Sequence, residues 1–356
     1  MQQGRFSWHS IRDSQIFWPV VALALLMLFN AVFTPGFFRL EIKDGHLFGS
    51  LIDILNRGSV LMVMAIGMTM VIATGGVDLS VGAVMAISAC TASVLITNAT
   101  LGNTLVASDQ LVQDVSANPL WLVLVIALGV SALCGLWNGL LVSRGNIQPM
   151  VATLILMVAG RGIAQLITNG QIITIYYSPY YFIGNGYLFT LPFTLFIVLG
   201  LYLLTWLFTR KTAIGMFVES VGINARSSFL SGINAKNIKL LAYTFCGFCA
   251  GIAGLIYSAN VKSADANNAG LNMELDAILA VVIGGTLMSG GRFSLFASIV
   301  GALIIQSVTT TMYALGVPAM ASQAIKALVV LIVILLYSDV FKNSLNRVFE
   351  SRGARP

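Results

Sequence analysis

The chain has 356 residues, 58% of them hydrophobic and only 9% charged, with a mean hydropathy of +0.90. A soluble domain carries roughly 25% charged residues, so these few cannot coat a globule of this size, and a soluble protein is excluded. The net charge of +6 does not point to nucleic acid, because no loop combines a basic cluster with aromatic residues; the partner that the composition demands is the lipid bilayer.

A membrane helix needs ~20 mostly apolar residues to cross ~30 Å of hydrocarbon. The apolar runs are continuous rather than alternating, which predicts helices and not a barrel. The expected fold is therefore all-α, a polytopic membrane protein of about ten transmembrane helices. The first run, 17–34, lacks a small-x-small cleavage site and is followed by more spans, so it reads as an uncleaved anchor behind a short tail, 1–16. Spans at 58–74 and 79–98 follow, then 120–142, 149–168 and 192–208. After a long polar connection, 209–239, come 240–260, 275–288, 294–312 and 321–338, with a tail at 339–356.

An even number of spans puts both ends on one side. With the N-terminus inside, the inner segments hold Arg5, Arg12, Arg144, Arg210, Lys211, Arg226, Lys236, Lys239, Arg292, Lys342, Arg347, Arg352 and Arg355. The outer ones hold only Arg39, Lys43, Arg57 and Lys262. This bias predicts that both termini are cytoplasmic.

The turn between the second and third spans reads "TGGVDLSVGA", an Asp in a long run otherwise free of charge. Gly75-Gly76 suits a left-handed helix stop, and Asp78 or Ser80 suits the cap of the next helix. The same residues also fit a helix broken within the membrane beside a solute path, where transporters place irregular backbone. Both readings are open at this point. Gly135 and Gly139, and Gly247 and Gly251, recur on one helix face and predict close packing. The four cysteines all fall in spans and read as small packing residues, despite the Cys246-x-x-Cys249 spacing. The two histidines lie far apart, and no metal site is indicated.

No phosphate-cradling GxxxxGK[ST] is present, so this chain is not expected to hydrolyse nucleotide, to be an enzyme or to hold a cofactor. Acids deep in the spans are few; Asp78, Glu274, Asp276 and Asp339 sit near span ends, which weakens a proton-coupled mechanism. In the 209–239 connection, Asn224 and Gly232 are a fair cap and a fair stop for a short helix exposing Phe229 and Leu230. That helix either lies along the membrane surface or docks a partner.

Four stretches carry a resemblance: "GGVDLSVGAVMAI", "QPMVATLILMVAGRGIAQLITNGQ", "VGINARSSFLSGIN" and "ADANNAGLNMELDAILAVVIGGTLMSGG". Together, in this order, they resemble the permease subunits of ribose-type bacterial ABC sugar importers, and within them the permeases for galactofuranose. The resemblance runs from about Phe48 to about Tyr337. It implies an inner-membrane permease that pairs with a second copy or a sister permease. It also implies a separate ABC ATPase subunit, which binds ATP and Mg, and a periplasmic sugar-binding protein. The segment Gly222, Asn224, Ala225, Arg226, Ser227, Phe229, Leu230, Ser231 and Gly232 then looks like the helix that couples to the ATPase. Ser227-Ser228 stands where many relatives have Ala-Ala, which leaves the individual contacts open.

A sugar path needs neutral donors and acceptors. Candidates are Asn138, Gln148, Thr153, Gln165, Asn267 and Asn268, each of which could equally be a helix-packing hydrogen bond. Arg161 lies twelve residues into its span, ~18 Å from Pro149. It is expected either to pair with Glu274 or Asp276 or to bond backbone carbonyls or water. Tyr176, Tyr177, Tyr180 and Tyr181 read as an interfacial belt more than a stacking platform. The polar loop 101–119 is expected outside. The rivals to this reading are a permease for ribose, xylose or another monosaccharide, and a gradient-driven sugar transporter.

Overall fold

The computed structural model describes residues 17–43, 45–97, 116–318, 321, 324–328 and 331. The tails at 1–16 and 339–356, most of the loop at 101–119 and most of the span expected at 321–338 lie outside the described residues.

The chain is mainly helical. Helix α1 is Phe17–Phe33, followed by a hairpin of β1 (Glu41–Lys43) and β2 (His46–Phe48). Then come α2 (Ser50–Ala73), α3 (Val81–Thr97), α4 (Leu120–Ser143), α5 (Pro149–Thr168), β3 (Ile173–Thr174) and a short α6 (Ser178–Asn185). A small hairpin, β4 (Tyr187–Leu188) with β5 (Leu191–Pro192), leads into α7 (Phe193–Lys211), α8 (Ala213–Ile223) and α9 (Ala225–Leu230). The chain continues as α10 (Ala235–Val261), β6 (Ser263–Ala264), α11 (Met273–Ile283) and α12 (Leu295–Ala314).

Among the described residues, six helices are long and apolar enough to cross a membrane: α2, α4, α5, α7, α10 and α12. Helices α1 and α3 are shorter, at 17 residues each.

The core forms around α2 and α10. From Gly58 onwards nearly every residue of α2 is buried, because α10, α12, α11 and α7 surround it. Helix α10 lies closest to α4, and the small residues noted in the sequence meet there. A side chain on Gly135 would sit 3.0 Å from the Cα of Gly247, and one on Gly251 would sit 2.7 Å from Ser131 Cβ. Backbones this close gain dispersion contacts that larger residues would forbid. Gly139 instead packs on Leu240. Helices α4, α5 and α7 turn large apolar side chains outwards, among them Trp121, Val158 and Leu203. In a bilayer such faces meet lipid or another membrane subunit.

Several boundaries differ from the sequence reading. Helix α2 begins at Ser50, eight residues before the expected span, because its first turns carry Asp53, Asn56 and Arg57 outside the apolar run. The connection after α7 holds a second helix, α8, started by Thr212, whose Oγ1 accepts from the Ile214 amide at 3.3 Å. Tyr180 is not an interfacial residue: it is fully buried, and its hydroxyl lies 2.7 Å from Ser258 Oγ. The largest difference is α11. The expected span at 275–288 is an eleven-residue helix, about 16 Å long, which crosses only about half of ~30 Å of hydrocarbon.

Candidate functional site

Helix α2 stops as its glycines dictate. Gly75 has φ +76°, its amide bonds Ile72 O at 2.8 Å, and the Gly76 amide bonds Val71 O at 3.2 Å. This 5→2 and 6→1 pair satisfies carbonyls that the helix end would otherwise strand. Helix α11 ends in the same way: Gly285 has φ +80° and bonds Val282 O, and Thr286 bonds Val281 O.

Asp78 follows the first stop and is 1% exposed. Its Oδ1 accepts from the Ser80 amide at 2.9 Å, from Ser80 Oγ at 2.7 Å and from Asn138 Nδ2 at 3.3 Å. Asn138 Nδ2 also donates to Ser80 Oγ at 2.8 Å. Asn138 lies five residues before the end of α4, about 7.5 Å in from that end, so the break between α2 and α3 sits inside the bundle. Tyr243 on α10 closes it: its hydroxyl donates to Val77 O at 3.2 Å and occupies the space a side chain at Gly76 would need.

The coupling candidates lie beside this break. Asn224 Oδ1 accepts from the Arg226 and Ser227 amides at 3.0 Å each, capping α9. Gly232, at φ +86°, ends it, with the Ile233 amide on Ser228 O at 2.9 Å. Phe229 is 68% and Leu230 82% exposed, whereas Ser228 is buried. Gly222, the last but one residue of α8, lies against the Ala73 carbonyl at the end of α2. The Gly291 amide, in the connection after α11, donates to that same carbonyl at 2.9 Å. Gly290 packs against the Gly75 amide and the Gly222 carbonyl. The stop of α2, the connection that follows α11 and the segment carrying α9 thus meet at one backbone junction. The sequence reading missed Ala73, Gly290, Gly291 and Tyr243. The repeated double glycine, Gly75-Gly76 and Gly290-Gly291, was the available signal.

On the opposite side of the break, strand β6 pairs with β3, just beyond the end of α5. The chain then turns inwards. The carbonyls of Ala266 and Ala269 reach Arg161, seven residues before the end of α5, about 10 Å down that helix. Gly270, at φ +66°, sits against Gly82 at the start of α3. Residues 265–272 are therefore a re-entrant loop, and α11 starts from its tip as a half-length helix. Glu274, 3% exposed, sits in the first turn of α11, in the space that Gly82 leaves by lacking a side chain.

A cavity of about 350 Å³ opens at this tip, lined by Arg161, Gln165, Asn267 and Glu274 with Ala83, Met157, Val158 and Leu271. Gln165 Nε2 donates to Asn267 Oδ1 at 2.6 Å. Of the two kinds of partner expected for Arg161, an acid or backbone carbonyls, the structure shows the second, with no ion pair to Glu274 or Asp276 among the described residues. Arg161 Nη1 donates to the carbonyls of Ala266, at 3.2 Å, and Ala269, which the re-entrant loop presents to it. Asp276 pairs with Lys326 at 2.8 Å.

The other path candidates are not brought to this cavity. Asn138 belongs to the Asp78 cluster. Gln148 precedes α5 and is exposed, and Thr153 bonds the Pro149 carbonyl of its own helix. Asn268 donates to Asp265 at 2.6 Å within the loop. Among the described residues, no group of His, Cys, Asp or Glu could hold a metal ion.

The family model for the branched-chain amino acid transport system / permease component matches residues 50–337. The chain is a member of this permease family. The permease is 50% identical over 91% of its length to the galactofuranose transporter permease protein YtfT of Escherichia coli K12, of which it covers 91%. It is 38% identical over 93% of its length to the fructose import permease protein FruF of Bifidobacterium longum, covering 90% of it. It is 32% identical over 89% of its length to the ribose import permease protein RbsC of E. coli K12, covering 92%. No solved structure matches. As a permease component it is the membrane-spanning, non-catalytic part of a sugar importer of the bacterial inner membrane.

Proposed function

We propose that this permease imports galactofuranose, driven by ATP in a separate subunit. The observation that carries the sugar is the 50% identity over 91% of the chain to a galactofuranose transporter permease. Residues 17–338 form the permease domain, with about ten crossings and both termini in the cytoplasm. The bias of Lys and Arg between its loops supports that orientation. The path forms with a second copy or a sister permease, and a periplasmic binding protein delivers the sugar.

The 209–239 segment is the coupling loop. Helix α9 presents Phe229 and Leu230 to the ATPase, which binds ATP and Mg. Closing and reopening of the ATPase pair moves α9. The backbone junction of Gly222, Ala73 and Gly291 carries that motion to the stop of α2 and to the connection after α11. Gly75, Gly76, Asp78 and Ser80 then act as the hinge of an inner gate. On this reading Gln165 and Asn267 line the path, while Asn138 holds the gate and Gln148, Thr153 and Asn268 serve local structure.

Sugar uptake in right-side-out vesicles carrying the permease with its ATPase and binding protein tests this. Uptake is expected to stop on ATP depletion and to survive an uncoupler. Uptake that fails with the uncoupler while ATP remains abundant would sink the ATP-driven reading.

A further inference from the structure

The cavity at the tip of the re-entrant loop offers more than a passage. A transit route needs only water and weak contacts, yet this one gathers two opposite charges and two amides. Among the described residues Arg161, which lines the cavity, makes both of its hydrogen bonds to protein through Nη1, which leaves the donors of Nε and Nη2 uncommitted. Glu274 is more than nine-tenths buried and lines the cavity, and among the described residues no other side chain bonds its carboxylate. The first turns of α3 and α11 both flank that carboxylate, and helix N-termini favour a negative charge. A buried carboxylate so placed, with its acceptors unused by other side chains, is built to accept hydrogen bonds from something else.

The amides repeat the pattern without charge. With Gln165 Nε2 committed to Asn267 Oδ1, the free ends are the Gln165 carbonyl oxygen and the Asn267 amino group. Flipping both amides exchanges these roles and still leaves one donor and one acceptor. Each pair, Arg161 with Glu274 and Gln165 with Asn267, therefore presents a donor beside an acceptor. Neighbouring hydroxyls of a sugar need that combination, because each hydroxyl both donates and accepts. Leu271 and Met157 supply an apolar wall, and about 350 Å³ falls in the range of small-molecule sites, ~300–1,000 Å³.

We infer that this cavity is a sugar-binding site within the permease itself, in which Arg161, Glu274, Gln165 and Asn267 hold the hydroxyls of a single monosaccharide. Selection is then made twice, first by the binding protein and again in the membrane. The inference rests on the sugar-importer reading. A guanidinium and a carboxylate could also hold the two charges of an amino acid, but the neutral donor–acceptor amides answer a polyol.

The test uses the permease–ATPase complex in nanodiscs without the binding protein, probed by saturation-transfer NMR with D-galactose, D-ribose and L-leucine. The wild type is expected to give signals from the sugars and none from leucine. In Glu274→Gln and in Gln165→Leu the sugar signals should fall about three- to tenfold. Gln165 lies on an exposed stretch of α5, so its variant is expected to fold even if Glu274→Gln does not. The absence of a sugar signal in the wild type, or equal signals in a folded variant, overturns the site. A leucine signal lost in Glu274→Gln overturns it in favour of a zwitterion. ATP-dependent sugar uptake by the same complex with its binding protein separates the two failures. If uptake persists, only the site is wrong; if the wild type imports no sugar, the importer reading falls with it.

Discussion

Gly222 of α8 and Ala73 of α2 touch backbone to backbone: a methyl group at Gly222 would collide with the Ala73 carbonyl oxygen and with the Gly291 amide. Neither neighbour is a side chain that could rotate away. The segment carrying α9, the stop of α2 and the connection after α11 therefore share one tight backbone contact.

Gly222→Ala is expected to force that junction apart at a cost of about 1–3 kcal/mol. ATP hydrolysis should continue while transport falls, and the ratio of sugar imported to ATP hydrolysed in proteoliposomes measures this. Gly232→Ala is the control. It introduces strain at φ +86° but meets nothing within 4 Å, so it should leave that ratio near wild type. Equal effects of the two changes would show that the junction transmits nothing.

Asp78 gathers three hydrogen bonds on one oxygen, and Asn can accept all of them. Asp78→Asn also removes a buried charge that no cation approaches in an ion pair among the described residues. Its stability in detergent should match or exceed wild type. Asp78→Ala strands the Ser80 and Asn138 donors and should cost about 3 kcal/mol. Thermal unfolding of both variants decides the point. A stable Asp78→Asn protein that no longer transports would assign the carboxylate a role in gating beyond local structure.

The Asp276–Lys326 pair ties α11 to the last described segment of the chain, with both side chains about one-fifth exposed. Removing one partner leaves the other charge within the bundle. Asp276→Asn alone should cost about 2 kcal/mol, and adding Lys326→Met should recover most of it. Protease resistance of the single and double variants in detergent is the readout; a double variant no firmer than the single one would show the pair to be incidental.

Phe229 and Leu230 are exposed on a capped six-residue helix, so replacing them should not disturb the fold. Phe229→Ser is expected to weaken association with the ATPase about thirtyfold, as burial of a large apolar side chain contributes about 2 kcal/mol. Co-purification from membranes measures it. Undiminished association would return α9 to the membrane surface.

The helix stops and caps were legible because they are local. Gly75-Gly76 and Asn224 to Gly232 act within four or five residues of chain, and hydrogen-bond geometry at a helix end allows few residue types there. The half-length of α11 was not legible. "MELDAILAVVIGG" is as apolar as a full span, and nothing local reports that the preceding loop has already descended into the bundle. Which of its two expected kinds of partner Arg161 takes was undecided for the same reason: its partners are carbonyls, which carry no sequence signature, on a loop more than a hundred residues away.

By itself the sequence determined that the chain lives in a bilayer, that helices carry it across, and where most of them begin and end. Length, hydropathy and capping decide those matters, and each acts over a single element. Only the tertiary structure decided which polar groups share a cavity, that Asp78 lies inside the bundle, and that Gly222 meets both the end of α2 and the connection after α11. Those facts follow from how far each helix slides along its neighbours, and that register is fixed by close packing between segments distant in the chain.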